Sequence, residues 1–106
     1  MARALITMPT TAKRGDVIEI RTLIAHPMET GYRPGADGAI LPRNLIRRFT
    51  CHYDGVLVFS ADLFPAVAAN PYISFSTVAT ASGTLRFAWS GDNGFAQTET
   101  TALTVT

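Results

Sequence analysis

Residues 84–94 read TLRFAWSGDNG and contain the clearest indication of the fold. Large apolar side chains at Leu85, Phe87 and Trp89 alternate with smaller or charged ones, which is the period of a β-strand with one buried face. The Asp-Asn-Gly sequence at 92–94 follows at once, and these residues tolerate the positive φ angles of a tight hairpin turn. The segment therefore predicts a strand, a turn and a returning strand.

The same chemistry continues on both sides of this segment. Val, Ile, Thr, Phe, Tyr and Trp account for 37 of the 106 residues, a large share for side chains that suit pleated, half-buried surfaces. Turn sequences recur at short intervals, and seven strands at this spacing predict an antiparallel β-sandwich that fills residues 1–106 as one domain. The only helical candidate is the Ala-rich stretch Leu63–Asn70. The predicted strands lie near Arg3–Met8, Asp16–Ile24, Leu45–Tyr53, Val56–Asp62, Tyr72–Val78, Thr84–Ser90 and Phe95–Val105.

Composition excludes several classes of function. Nine basic and eight acidic residues leave a net charge of +1, without the basic excess that nucleic-acid binding needs. A single cysteine rules out an intramolecular disulfide and a thiolate cage for a metal, so no cofactor is expected. No apolar run is long enough for a membrane span, and the first nine residues do not form the apolar segment of a signal peptide. These features alone favour a cytoplasmic protein.

The longest irregular stretch, Ala25–Asn44, contains three prolines and three glycines, and long loops of this kind are more often functional than not. It includes the hexapeptide His26-Pro27-Met28-Glu29-Thr30-Gly31. His26 and Glu29 could serve as an acid and base, but no nucleophile, metal or oxyanion hole is indicated beside them. A structural or docking role is therefore favoured, in which Gly31 permits a backbone turn and Met28 offers an adaptable apolar contact.

Cys51 is expected to be a core residue and not a reactive thiol. It alternates with Phe49 and Tyr53, which places it on the inward face of its strand, away from Arg48 and His52. The two histidines are 26 positions apart and have no evident third ligand, so a metal site is not predicted.

The outward face of the last two strands is predicted to contact a partner. Its side chains are small and uncharged, whereas exposed sheet surfaces usually carry both signs of charge to resist association. The alternatives are plain solvent exposure, or a phase error of one residue that would place these side chains against the other sheet. The residues concerned are Ala88, Ser90, Ala96, Thr98, Thr100 and Ala102.

From about Gly15 to its C-terminus the sequence resembles SoxZ, the small subunit of the SoxYZ sulfur carrier. The resemblance rests on several motifs together. They are the hexapeptide at 26–31, Asp54-Gly55, Asn70-Pro71 before Tyr72, Gly83, and the pattern of Phe87, Trp89, Asp92 and Gly94.

The resemblance implies an immunoglobulin-like sandwich that forms a heterodimer with a SoxY-like protein and has no catalytic activity of its own. SoxY carries the sulfur intermediate of bacterial thiosulfate oxidation on a cysteine in its C-terminal arm and visits the other sulfur-oxidation enzymes transiently. The family works in the periplasm after export with its signal-bearing partner, which replaces the cytoplasmic expectation. Two alternatives stay open: an immunoglobulin-like adhesion or chaperone module, and a small enzyme that uses His26 and Glu29.

Overall fold

A computed structural model describes residues 3–106 as eight β-strands and one short turn of 3₁₀ helix. No stretch of these residues forms a helix long and apolar enough to cross a membrane. The 3₁₀ turn spans Asp92–Gly94. The strands are β1 (Ala4–Thr7), β2 (Thr11–Ala12), β3 (Val17–Ile24), β4 (Ile46–Tyr53), β5 (Val56–Asp62), β6 (Tyr72–Val78), β7 (Gly83–Gly91) and β8 (Ala96–Val105).

The strands form two sheets, one with the order β1-β3-β6 and one with the order β2-β8-β7-β4-β5. All pairs are antiparallel except the short β2–β8 pair, which is parallel. The predicted all-β, immunoglobulin-like sandwich is therefore confirmed. The parallel β2–β8 pair is the one departure from the predicted antiparallel pairing. It forms where the chain passes from β1 in one sheet to β2 at the edge of the other.

The core lies between the sheets and is built by the alternation seen in the sequence. Leu85, Phe87 and Trp89 of β7 are buried, and Phe49 of β4 lies beside them with its ring centroid 5.1 Å from that of Trp89. From the opposite sheet, Phe75 meets Phe49 at 6.0 Å. Burying aromatic groups of this size stabilises the contact between the sheets in the absence of a disulfide.

The hairpin predicted at Asp92–Gly94 is present between β7 and β8, but the predicted helix is not formed and one strand was not predicted. Leu63–Asn70 forms no helix: the N–H of Val67 donates to the carbonyl of Phe64 at 2.9 Å and closes a single turn around Pro65. Proline disfavours helical φ and ψ at the residue before it, here Phe64 and Asn70, and residues 65–69 between them are too few to form a stable helix. Strand β2 was not predicted, because two residues are too few to show alternation.

Candidate partner-binding site

The hexapeptide at 26–31 begins where β3 leaves the small sheet, and it is fixed there by the loop that precedes β6. The N–H of His26 donates to Oδ1 of Asn70 at 2.9 Å, and the N–H of Asn70 donates to the carbonyl of His26 at 2.7 Å. Asn70 has a positive φ of 55°, which asparagine tolerates better than most residues. The asparagine therefore has a positioning role that the sequence alone did not assign.

His26 and Met28 form the interior of this loop. Nδ1 of His26 accepts a hydrogen bond from the N–H of Met28 at 3.0 Å, which supports the positive φ of 50° at Met28. The Met28 side chain is only 5% exposed, and its sulfur accepts from the N–H of Ile46 at 3.3 Å. This corrects the expectation that Met28 offers an apolar contact to a partner, because its side chain already belongs to the core.

The remaining members of the hexapeptide hold the two ends of the long loop together. Glu29 and Asn44 exchange backbone hydrogen bonds at 2.8 Å in both directions. The Glu29 carboxylate accepts from the Arg33 guanidinium at 2.7 Å, and this hydrogen bond lowers the pKa of Glu29. Gly31 has a φ of 89°, and a Cβ there would meet Cβ of Arg43 at 3.1 Å, so the turn requires glycine. Thr30 is half-buried beside it.

Asp92 joins this loop to the tip of the β7–β8 hairpin. Its carboxylate accepts from the N–H of Leu45 at 3.1 Å and lies 2.9 Å from Nε of Arg43 and 3.7 Å from a guanidinium nitrogen of Arg47. Burial raises the pKa of Asp92, but the backbone hydrogen bond and the two cations outweigh it and lower the pKa. The hairpin tip is thereby held against the loop.

This arrangement leaves a cleft between the hexapeptide and the start of β8. His26 is 5% exposed, and its Nε2 is buried without a hydrogen-bond partner. Burial lowers the pKa of His26, although Asn44 and Asp92 oppose this effect. A neutral ring that accepts through Nδ1 must carry its proton on Nε2, where almost no surface is exposed and the Asn44 side chain, which raises the pKa of His26, is a polar neighbour. The residues that line the cleft are Ala25, His26, Pro27, Asn44, Gly94, Phe95, Ala96 and Gln97.

The cleft continues onto the outward face of β8. Ala96, Thr98 and Thr100 are exposed there, so the predicted phase of the strand is confirmed, although their role as partner contacts stays a prediction. The neighbouring strands are less uniform. Arg86 lies directly opposite Thr100, and Arg48 of β4 pairs with Asp62 at 3.0 Å. The uncharged surface is thus a strip along β8 and not the whole sheet.

The described side chains offer few groups for catalysis. Nδ1 of His26 is occupied by Met28 and the Glu29 carboxylate by Arg33, so the two residues are not arranged as an acid–base pair. Cys51 is fully buried between Phe49 and Tyr53, and burial raises the pKa of its thiol to about 12. Among residues 3–106 no group of three or more His, Cys, Asp or Glu side chains could hold a metal ion.

The sequence model of the family described as sulphur oxidation protein SoxZ matches residues 6–102. None of the curated proteins matches the sequence.

Solved structures with a similar fold include a superoxide reductase (neelaredoxin) from Ignicoccus hospitalis. It is 18% identical with a TM-score of 0.74, and the match covers 97% of this chain and 80% of that one. The sulfur carrier protein SoxY from Chlorobium limicola f thiosulfatophilum is 14% identical with a TM-score of 0.68, over 97% and 78% of the two chains. At these identities the structures show a shared fold alone.

Sequence reasoning placed His26 and Ala96 on separate features, and the structure brings them to one cleft. The sequence did not identify Asn44, Phe95 and Gln97 as residues that line the cleft. The only signal for them was their position at the ends of predicted elements, which does not say which ends meet in space.

Proposed function

The chain belongs to the SoxZ family of sulphur oxidation proteins, and on that basis we propose that it is the non-catalytic subunit of a SoxYZ sulfur carrier complex. In this role the chain binds and supports a SoxY-like protein, whose C-terminal cysteine arm carries the sulfur intermediate of thiosulfate oxidation. The complex works in the periplasm, which the chain reaches by export together with its partner.

The observation that carries the non-catalytic role is the burial of Cys51. Sulfur is conjugated to a thiolate, and a thiol with a pKa of about 12 has very little thiolate near neutral pH. Cys51 is the single cysteine of the sequence, so the chain has no second thiol that could take its place. A sulfur carrier that includes this subunit therefore needs its reactive cysteine on the partner.

The strip along β8 is proposed as part of the surface that meets the partner. Ala96, Thr98 and Thr100 are exposed, small and uncharged, so desolvating them costs less than desolvating lysine or glutamate. The rigid hairpin tip beside them, held by Asp92, gives the strip a fixed shape in the free chain. Preorganisation of this kind reduces the entropy lost on association.

Co-expression of this chain with a SoxY-like protein tests the proposal. The two chains are expected to co-purify at micromolar concentration. Mass spectrometry after incubation with thiosulfate and the sulfur-oxidation enzymes that supply the two-electron oxidation is expected to find added sulfur on the partner alone. Separate elution, or added sulfur on this chain, would refute the assignment.

A further inference from the structure

The edge of strand β8 is unpaired over most of its length. Within residues 3–106, its other neighbour β2 pairs with it only at Thr104 and Val105. The N–H of Thr104 points away from β7 and donates to the carbonyl of Thr10 at 2.9 Å. The N–H of Val105 points toward β7 and donates to the side chain of Ser82.

Backbone groups alternate in direction along an antiparallel strand. The N–H and C=O groups of the even-numbered residues therefore face the open edge, as that of Thr104 does. Ala96 lines the cleft, and Thr98 and Thr100 continue the edge beyond it. An unpaired row of donors and acceptors is a template for another strand.

The cleft lies at the start of this edge. Three neutral polar side chains line the cleft, those of His26, Asn44 and Gln97, and no charged side chain does. Such a lining suits the amide groups of a polypeptide main chain better than an ion.

We infer that this cleft and the open edge together bind an extended main-chain segment of the partner protein. The segment adds as a strand beside Ala96–Thr100 of β8, and one end of it lies in the cleft. Addition of a strand to a sheet edge is a general mode of peptide recognition, in which main-chain hydrogen bonds supply the affinity. The identity of the partner, a SoxY-like protein, rests on the proposed function.

A second copy of this chain is a poorer occupant of the edge. Glu99 points to the inner side of β8, where it accepts from the Gln97 side chain at 3.0 Å. Antiparallel pairing of two β8 edges near this residue would bring two half-buried carboxylates together, and like charges opposite each other destabilise a sheet. A partner strand with a hydrogen-bond donor opposite Glu99 avoids this repulsion.

Amide hydrogen exchange, measured by NMR on the isotopically labelled full chain with and without an unlabelled SoxY-like protein, tests the inference. In the free chain the amides of Ala96, Thr98 and Thr100 should exchange fast, while those of Gln97 and Glu99 are protected by β7. In the complex the even-numbered amides should slow by at least about ten-fold. Unchanged exchange at these amides in a formed complex would overturn the inference.

A matched pair of variants separates the edge from general folding. Thr98→Pro removes one edge N–H and should weaken binding, whereas Thr98→Val keeps it and should not.

The outcomes distinguish the two proposals. Wild-type affinity in Thr98→Pro would overturn the strand-addition inference and leave the SoxY-like partner in place. Absence of any complex with the wild-type chain would overturn the inference and the proposed function together.

Discussion

Nδ1 of His26 accepts the backbone N–H of Met28 at 3.0 Å, so a histidine that resembles a catalytic base in sequence is part of the support of a buried loop. The bond requires an unprotonated Nδ1, and the His26 side chain that makes it is only 5% exposed. Protonation of the ring would remove the acceptor and place a charge in the interior at the same time.

The first prediction is a loss of stability in mild acid. Burial lowers the pKa of His26 in the folded chain below its ordinary value of 6.5, so the unfolded chain takes up the proton first. Stability from this group is complete above about pH 6.5 and decreases as the pH falls below that value. Urea unfolding at pH 7.5 and 5.0 should show this decrease in the wild type and a smaller one in His26→Asn. Equal decreases in both proteins would contradict the assignment to His26.

The second prediction concerns Cys51. Its buried thiol, whose pKa is raised to about 12, should not react with iodoacetamide at pH 7.5 in the folded chain but should react in denaturant. Cys51→Ala should reduce the free energy of unfolding by about 1 kcal/mol and leave sulfur transfer intact, and Cys51→Ser should cost more because its hydroxyl is buried. Intact-mass analysis decides it after incubation with thiosulfate, a SoxY-like protein as positive control and the enzymes that supply the two-electron oxidation. A sulfur adduct on the wild-type chain that is absent from Cys51→Ala would place the thiol in the reaction.

The third prediction concerns the uncharged strip of β8. Thr98→Glu combined with Thr100→Glu should weaken the complex with a SoxY-like protein by at least about ten-fold, because charges would be desolvated in the contact. Ser74→Glu with Ser76→Glu is a matched control, since both serines are exposed on strand β6 of the other sheet. Isothermal titration measures the affinity of each double variant for the SoxY-like protein. Equal affinities of the two double variants would show that the interface does not include the β8 strip.

The fourth prediction concerns Gly91, at the end of β7. A Cβ at this position would overlap the carbonyl oxygen of Leu45 and lie 2.8 Å from Cα of Ile46. Gly91→Ala should therefore reduce the free energy of unfolding by at least about 2 kcal/mol, since backbone would have to move. Gly94→Ala faces open space and meets only the strain of a positive φ, which costs about 1 kcal/mol. Denaturant titration of the two variants should give this order; the reverse order would contradict the close approach of β4 and β7.

Most of the fold was predictable from the sequence because its strands alternate strongly. Trp89 and Cys51 are inward as their positions in the alternation predict, and the bounds of Val56–Asp62 and Tyr72–Val78 are the predicted ones. Failures occur where alternation gives no information. Thr11–Ala12 is too short to show a period, and the helix predicted over Leu63–Asn70 rested on its alanine content and not on a period.

The site was less predictable, because it is made by contacts between distant parts of the chain. The hexapeptide was recognised as unusual, but its sequence does not show that Met28 points into the core or that Asn70 holds His26. The cleft depends on Asp92, which brings the hairpin tip to Leu45 across 47 positions of sequence. Long-range contacts of this kind follow from the packing of the sheets and have no local pattern.

The central claim, that this chain is a binding subunit, is tested most directly by the molar mass of its mixture with a SoxY-like protein. Size-exclusion chromatography with light scattering, at micromolar concentrations of both chains, should give a single peak with at least the summed mass of one copy of each. A persistent peak at 11.4 kDa, the mass of this chain alone, would contradict the account.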